Sequence, residues 1–390
     1  MAKIALQLSY SGDHRLKRQP LGPTGPARMT NALSFYLDAL RFAAAFTVFL
    51  AHYSVQRISG GFFWPSFAYG HTAVLVFFVL SGFVIAWVTE TRERSLGEYI
   101  LSRAARLYSV IIPAFIITAV VNYLGEAVDP QLYEAVRSDI TSHPALGYAL
   151  SAVFLGQSWT LDLLPGLNVP FWSLDYEAWY YAIFAAGVFL RGKYRIAALG
   201  ATALLAGPKI LILLPVWLMG VSAWRWRAKF PKRLAAPLVV ASLCVWVVLE
   251  AMGGQQLFQH PNSPWLPSNC TGYDYLIGSL VALFIVGLAN TELPMPGLRF
   301  ERLVRSLAAT TFGLYLLHFP LLNFFAAIIP GPPDGAIRRI LIFVLALGIA
   351  LAVAWFAEPR KTALKRWFHN VLDNVLGRRP ASGLERQPLS

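Results

Sequence analysis

The feature that most constrains this chain is a series of apolar windows, each about as long as a bilayer is thick. A helix needs about 20 mostly apolar residues to cross the hydrocarbon core. Windows at 36–54, 71–89, 107–124, 172–190, 234–252, 271–289, 307–329 and 337–357 all approach that length with few charges. A further apolar region, 194–224, is broken by Gly207-Pro208-Lys209 and reads as a hairpin of two short helices. The total is about ten spans. Residues 146–161 are apolar but short, and 162–171 is rich in Pro and Gly, so 146–171 is expected to dip into the membrane and return. A soluble globule is a poor alternative: 14% of the residues are charged, against roughly 25% in soluble domains. With 56% hydrophobic residues, the chain has too little polar surface to cover itself. The expected fold is an all-α polytopic membrane protein with the lipid bilayer as part of its solvent.

A net charge of +13 raises the question of nucleic acid, but the distribution answers it. Lys and Arg gather in alternate loops, as the positive-inside rule requires. Loop 90–106 holds Arg92, Arg94, Arg103 and Arg106, and loop 225–233 holds five basic residues. The intervening loops hold only Arg57, Arg137, Arg338 and Arg339. The pattern places both termini on the cytoplasmic side, and the charge sets topology without any nucleic-acid partner. The expected layout is a disordered cytoplasmic arm over 1–33, a membrane domain over 34–359 and a basic cytoplasmic tail over 360–390. Two cysteines, Cys244 and Cys270, give no disulfide framework.

An ionisable side chain inside a span is costly and marks a cavity, a partner or a function. The first span carries Asp38, Arg41 and His52. Arg41 and His52 are eleven positions apart, which brings both to one helix face roughly 16 Å from each other. Asp38 lies one turn before Arg41 and can pair with it. The bland alternative is that Asp38 and Arg41 sit at the inner interface while His52 caps the outer one. In the second span, Ser81-Gly82 is small enough for close helix contact, with or without chemistry. Arg103 and Arg106, three apart at the mouth of the third span, can share a face and grip a phosphate by paired hydrogen bonds, or serve only as a positive flank. Trp172 suits the membrane interface, Ser173 follows it, and Glu177 lies two turns further in. Tyr315 and His318 lie in a later span, where His318 also reads as a satisfied core histidine, and Glu358 closes the last one. No metal set emerges: His52 and His318 lack a third ligand at a natural spacing. There is no phosphate-binding Gly-rich loop and no serine hydrolase motif.

In this order and spacing, the residues resemble the acyltransferase 3 family. The matching positions are Asp38, Arg41 and His52; Phe77-Phe78-Val79-Leu80-Ser81-Gly82-Phe83; Arg103 and Arg106; Trp172-Ser173-Leu174 with Glu177; Tyr315 with His318 and Pro320; and Glu358-Pro359. Two departures are visible: Ser109 where the family usually has Pro, and Asp175 where it has a small or neutral residue. The resemblance implies a membrane-bound acyltransferase of the bacterial inner membrane. It would take an acyl group, usually acetyl, from cytoplasmic acyl-CoA and pass it to a hydroxyl of an extracytoplasmic glycan or lipid-linked glycan. Acyl-CoA would be a substrate, with no tightly bound cofactor.

Under that reading, His52 is the base or the acyl carrier, because an imidazole titrates near neutral pH. Glu177 would orient it, Arg103 and Arg106 would hold the CoA phosphates, and Arg41 held by Asp38 would neutralise charge along the path. Ser81, Trp172, Ser173, Tyr315, His318 and Glu358 would support the site. The alternative is a transporter or flippase for a small anion or lipid-linked sugar, with the same charges as a relay. The sequence leaves the acceptor, the acyl chain and the oligomeric state open.

Overall fold

A computed structural model describes residues 29–93, 95–138, 143–357 and 360–375. The expected arm before residue 29, and Glu358 with Pro359, lie outside the described residues. Regular structure among the described residues is helical throughout. Ten long helices of the membrane domain are α1 Asn31–Tyr53, α2 Pro65–Thr91, α3 Leu96–Val128, α4 Trp172–Phe189, α5 Gly192–Ala206, α6 Pro208–Trp226, α7 Ala235–Ala251, α8 Thr271–Asn290, α9 Thr311–Ile328 and α10 Ala336–Ala357. Helix starts follow local chemistry. Thr30 caps α1 by accepting from Leu33 N at 3.1 Å, and Ser95 caps α3 by accepting from Glu98 N at 3.2 Å.

Eight of these helices are long and apolar enough to cross a membrane, and α4 and α5 are the exceptions. Helix α4 has 18 residues and carries Asp175 and Glu177 in its first half. Helix α5 has 15 residues, about 22 Å at 1.5 Å each, which is shorter than a hydrocarbon core. The Gly207-Pro208 break falls where the sequence places it. Gly207 takes φ +80°, where a β-carbon would collide with the Trp159 backbone, and Pro208 opens α6. One boundary differs: the window 307–329 is cut at Thr310, and the residues before it belong to an amphipathic helix, Leu298–Ala309. In the expected tail, Arg360–Val375 forms a helix whose Phe368 packs on Tyr108 of α3.

The outward faces are apolar. Ile337, Val344 and Trp355 of α10 and Val240 and Val247 of α7 are all more than half exposed. Such a surface is at rest only against lipid. The interior is built around α2 and α9, the most enclosed of the candidate spans. Helix α2 packs tightly on α6 through two glycines. A β-carbon at Gly82 would collide with the Trp217 carbonyl, and one at Gly220 with the Val79 carbonyl.

The segment 146–171 opens within a nine-residue helix, Pro144–Ala152, followed by irregular chain to the short turn Val169–Phe171. Nine residues span about 14 Å and cannot cross. Parts of the irregular chain find partners within the protein. Lys209 Nζ donates to Leu161 O at 2.6 Å, and the buried Asp175 carboxylate accepts from Gln157 N at 2.9 Å. The departure at Asp175 therefore fastens this segment rather than entering the chemistry. Asn168 supplies a further tie. Pro320 lacks an N–H, which leaves Leu316 O without its helical donor, and Asn168 Nδ2 donates to that carbonyl at 2.9 Å. The same amide donates to Thr118 of α3 at 3.1 Å.

Candidate active site

At one end of α1, Arg41 lies 3.7 Å from Asp38, as the spacing predicts. Asp38 has a second partner that the sequence did not reveal: Arg305 Nη1 donates to it at 3.1 Å. Arg305 is held in turn by Glu301 at 2.9 Å, one turn earlier on its own helix. Asp38 thus joins α1 to the amphipathic helix while steadying Arg41.

Arg41, Ser81, Arg106, Ser173, Glu177 and Tyr315 line one cavity of about 50 Å³. They arrive from five helices: α1, α2, α3, α4 and α9. Phe77, Phe78, Leu80 and Phe312 form much of the apolar remainder of the wall. The Glu177 carboxylate accepts from Ser81 Oγ at 2.6 Å and from the Tyr181 hydroxyl. Trp217 Nε1 donates to Ser81 Oγ at 3.2 Å, a contact made possible by the glycine-mediated approach of α6 to α2. The Ser81-Gly82 step therefore does both things considered for it: Gly82 admits the neighbouring helix and Ser81 holds the carboxylate. Ser173 Oγ lies 2.8 Å from the Tyr315 hydroxyl. Trp172 stacks in an aromatic group, edge-on to Phe78 and Tyr176 with ring centroids 6.1 and 5.1 Å away.

His52 and His318 meet directly. His318 Nε2 lies 2.9 Å from His52 Nδ1, and the rings are 5.0 Å apart. The proton positions follow from the partners. His318 Nδ1 lies 3.1 Å from Leu314 O, an acceptor only, so that nitrogen carries the hydrogen. A neutral His318 then offers an Nε2 lone pair, and His52 must donate to it through Nδ1–H, which also faces Val48 O at 3.1 Å. The lone pair of His52 is thereby placed on Nε2. His318 is fully buried, whereas His52 is partly open. Phe319 packs edge-on to His52 at 5.1 Å. Tyr315 joins the two halves of the site: its hydroxyl meets Ser173 on the cavity wall and its ring lies 6.1 Å from that of His318.

Two expectations change. Glu177 does not orient His52: its carboxylate is held by Ser81 and Tyr181, and His52 is held by Val48 and His318. Arg103 and Arg106 do not act side by side. Arg103 is buried, paired with Glu93 at 2.5 Å, and lies over the rings of Tyr99 and Tyr181 at 5.2 and 5.8 Å. Arg106 instead faces the cavity with Arg41. Residues three apart are offset by about 60° around a helix, enough to face different neighbours. Glu93 lies in the turn before α3, where no periodic pattern marks it. Glu358 lies outside the described residues.

A bundle with lipid-facing apolar walls, an interior cavity lined by Arg and Glu and a histidine with a directed lone pair is a membrane-embedded enzyme. Its residues 34–358 match the acyltransferase domain of the acyltransferase 3 family, and the chain belongs to that family. It is an O-acyltransferase. Acyltransferase MdmB of Streptomyces mycarofaciens is 25% identical over 379 residues, which cover 88% of this chain and 92% of that protein. No solved structure matches the chain.

Proposed function

We propose that the protein transfers an acyl group, acetyl in the first instance, from cytoplasmic acyl-CoA to a hydroxyl of an extracytoplasmic glycan or lipid-linked glycan. The membrane is the bacterial inner membrane, with both termini on the cytoplasmic side. The observation that carries this reading is the His52–His318 pair joined through Tyr315 to the Arg41–Arg106–Glu177 cavity. The alternating charge pattern supports a cytoplasmic position for Asp38, Arg41 and Arg106 and an outward one for His52. The donor then approaches the two guanidiniums, which suit the anionic phosphates and polarisable thioester of acyl-CoA. The acceptor approaches His52 from the other side.

His52 Nε2 removes the proton of the acceptor hydroxyl as its oxygen attacks the thioester carbonyl. The resulting imidazolium keeps its Nδ1–H on His318 Nε2, which stabilises the charge and fixes the ring. The C–S bond breaks, CoA leaves as thiolate, and the proton held by His52 passes to that sulfur. Ester and CoA thiol are the products. If His52 carries the acyl group instead, the same Nε2 is the nucleophile.

The test is mass analysis of surface glycans from cells with and without the gene. Loss of one acetyl unit per repeat on deletion, restored by the wild-type gene, is the expected result. Unchanged glycans, with acylation lost from a small secreted molecule instead, would overturn the acceptor class.

A further inference from the structure

Outside the active site, the N-terminal ends of α2 and α8 and the loop between α7 and α8 bring three metal-ligating side chains together. His71 Nε2 lies 2.7 Å from Asp274 Oδ1, and Cys270 Sγ lies 3.8 Å from the same oxygen. The ligand atoms of His71, Cys270 and Asp274 all lie within 4.8 Å of one another. In a tetrahedral zinc site, with bonds of about 2.0–2.3 Å, ligand atoms stand about 3.4 Å apart, between these two separations.

Three further observations favour an ion here over a simple hydrogen bond. Asp274 is fully buried, yet neither α2 nor α8 contributes a Lys or Arg to balance it, and the sequence holds none between Arg233 and Arg299. A buried carboxylate without a permanent cation is costly. A thiolate, a carboxylate and a neutral imidazole around a divalent cation sum to zero charge. Secondly, Ser268 Oγ donates to Asp274 Oδ2 at 2.6 Å and accepts from Cys270 N at 3.3 Å. That hydroxyl ties the outer carboxylate oxygen down and leaves Oδ1 facing His71 and Cys270, the usual arrangement around a ligating carboxylate. Thirdly, Cys270 is buried while the His71 side chain is 26% exposed, which gives the site one open side.

We propose that His71, Cys270 and Asp274 bind a divalent transition metal of borderline softness, Zn²⁺ above all, with water in the fourth position. The mixed thiolate, imidazole and carboxylate set selects zinc over Mg²⁺ or Ca²⁺, which take oxygen ligands. Cys270 releases its thiol proton to solvent as the metal–sulfur bond forms. The ion pins the α7–α8 loop to α2, and its role is structural.

The full-length protein, purified in detergent and stripped with a chelator, is titrated with Zn²⁺ and separately with Co²⁺ as an optical probe. One Zn²⁺ per chain is expected, with a thiolate-to-cobalt charge-transfer band and a higher melting temperature on loading. Cys270→Ser should lose the band while the unloaded protein stays folded, and Ser268→Ala should weaken Zn²⁺ affinity ~10- to 100-fold. Absence of the band and of stoichiometric zinc in the wild type would overturn the site, leaving His71–Asp274 as a hydrogen bond between helices. A band that survives in Cys270→Ser would overturn it equally, since Cys244 would then be the ligand.

Discussion

His318 Nε2 stands 2.9 Å from His52 Nδ1, and together with Val48 O at 3.1 Å it holds the hydrogen of His52 on Nδ1 and leaves Nε2 as the base. His318 is therefore a positioning residue. His318→Ala leaves the His52 Nδ1–H with Val48 O alone and removes the acceptor that steadies the ring and the imidazolium formed on proton transfer. The expected result is a fall in kcat of ~10²-fold, the lower end of the range for general-base catalysis, with donor KM little changed. His318→Gln, whose side-chain oxygen can still accept from Nδ1–H, should recover part of that loss. Wild-type kcat in His318→Ala would remove the pair from the mechanism.

Arg103 and Arg106 are expected to fail differently. Arg106→Ala opens the cavity wall beside Arg41 and should weaken acyl-CoA binding about 10- to 150-fold, the equivalent of 1.5–3 kcal/mol for a charge-assisted contact. Arg103→Ala strands the buried Glu93 and should cost about 3–5 kcal/mol of stability, seen as a lower melting temperature. In the Arg103→Met, Glu93→Leu double variant both buried charges are gone, so most of that stability should return. Loss of donor affinity in a stably folded double variant would show that Arg103 touches the donor after all.

The approach of α6 to α2 rests on Gly82 and Gly220. Gly82→Ala should drive the helices apart, at a cost of about 1–3 kcal/mol or more for overpacking, and should lower activity by pulling Trp217 away from Ser81. Gly97→Ala is the control, because a β-carbon there meets nothing within 4 Å; it should be neutral or slightly stabilising. Thermal unfolding of the two variants in the same detergent compares them. Equal stability would mean that the close approach contributes little.

Much of this was legible in the sequence, for physical reasons. Apolar windows of bilayer length have few other uses, so most spans could be placed from hydropathy alone. Ionisable residues inside them stood out because lipid makes them costly, and Arg41, Arg106 and Glu177 do share a cavity. What the sequence hid were contacts between distant elements. His52 and His318 are 266 positions apart, and their meeting depends on how α1 crosses α9. Cys270 and Asp274 show an i, i+4 spacing, but His71 joins them from 203 positions away. Asp175 stood out in the sequence only as a departure from the family pattern, and only the return of the irregular segment over α4 gives it the Gln157 amide. Helix α5 showed the limit of hydropathy from the other side: its later turns are apolar, but at 15 residues, with Lys193 and Arg195 in its first turn, it is too short to cross.

The central claim is that His52 Nε2 performs the transfer, and purified His52→Gln protein in lipid tests it most directly. Glutamine keeps a polar group of similar reach, and its amide can still donate to His318, but it cannot take a proton near neutral pH. With donor binding measured alongside and unchanged, turnover should fall ~100- to 10,000-fold if His52 is a general base, or vanish if it carries the acyl group. Turnover at the wild-type rate by stably folded His52→Gln protein would contradict the account.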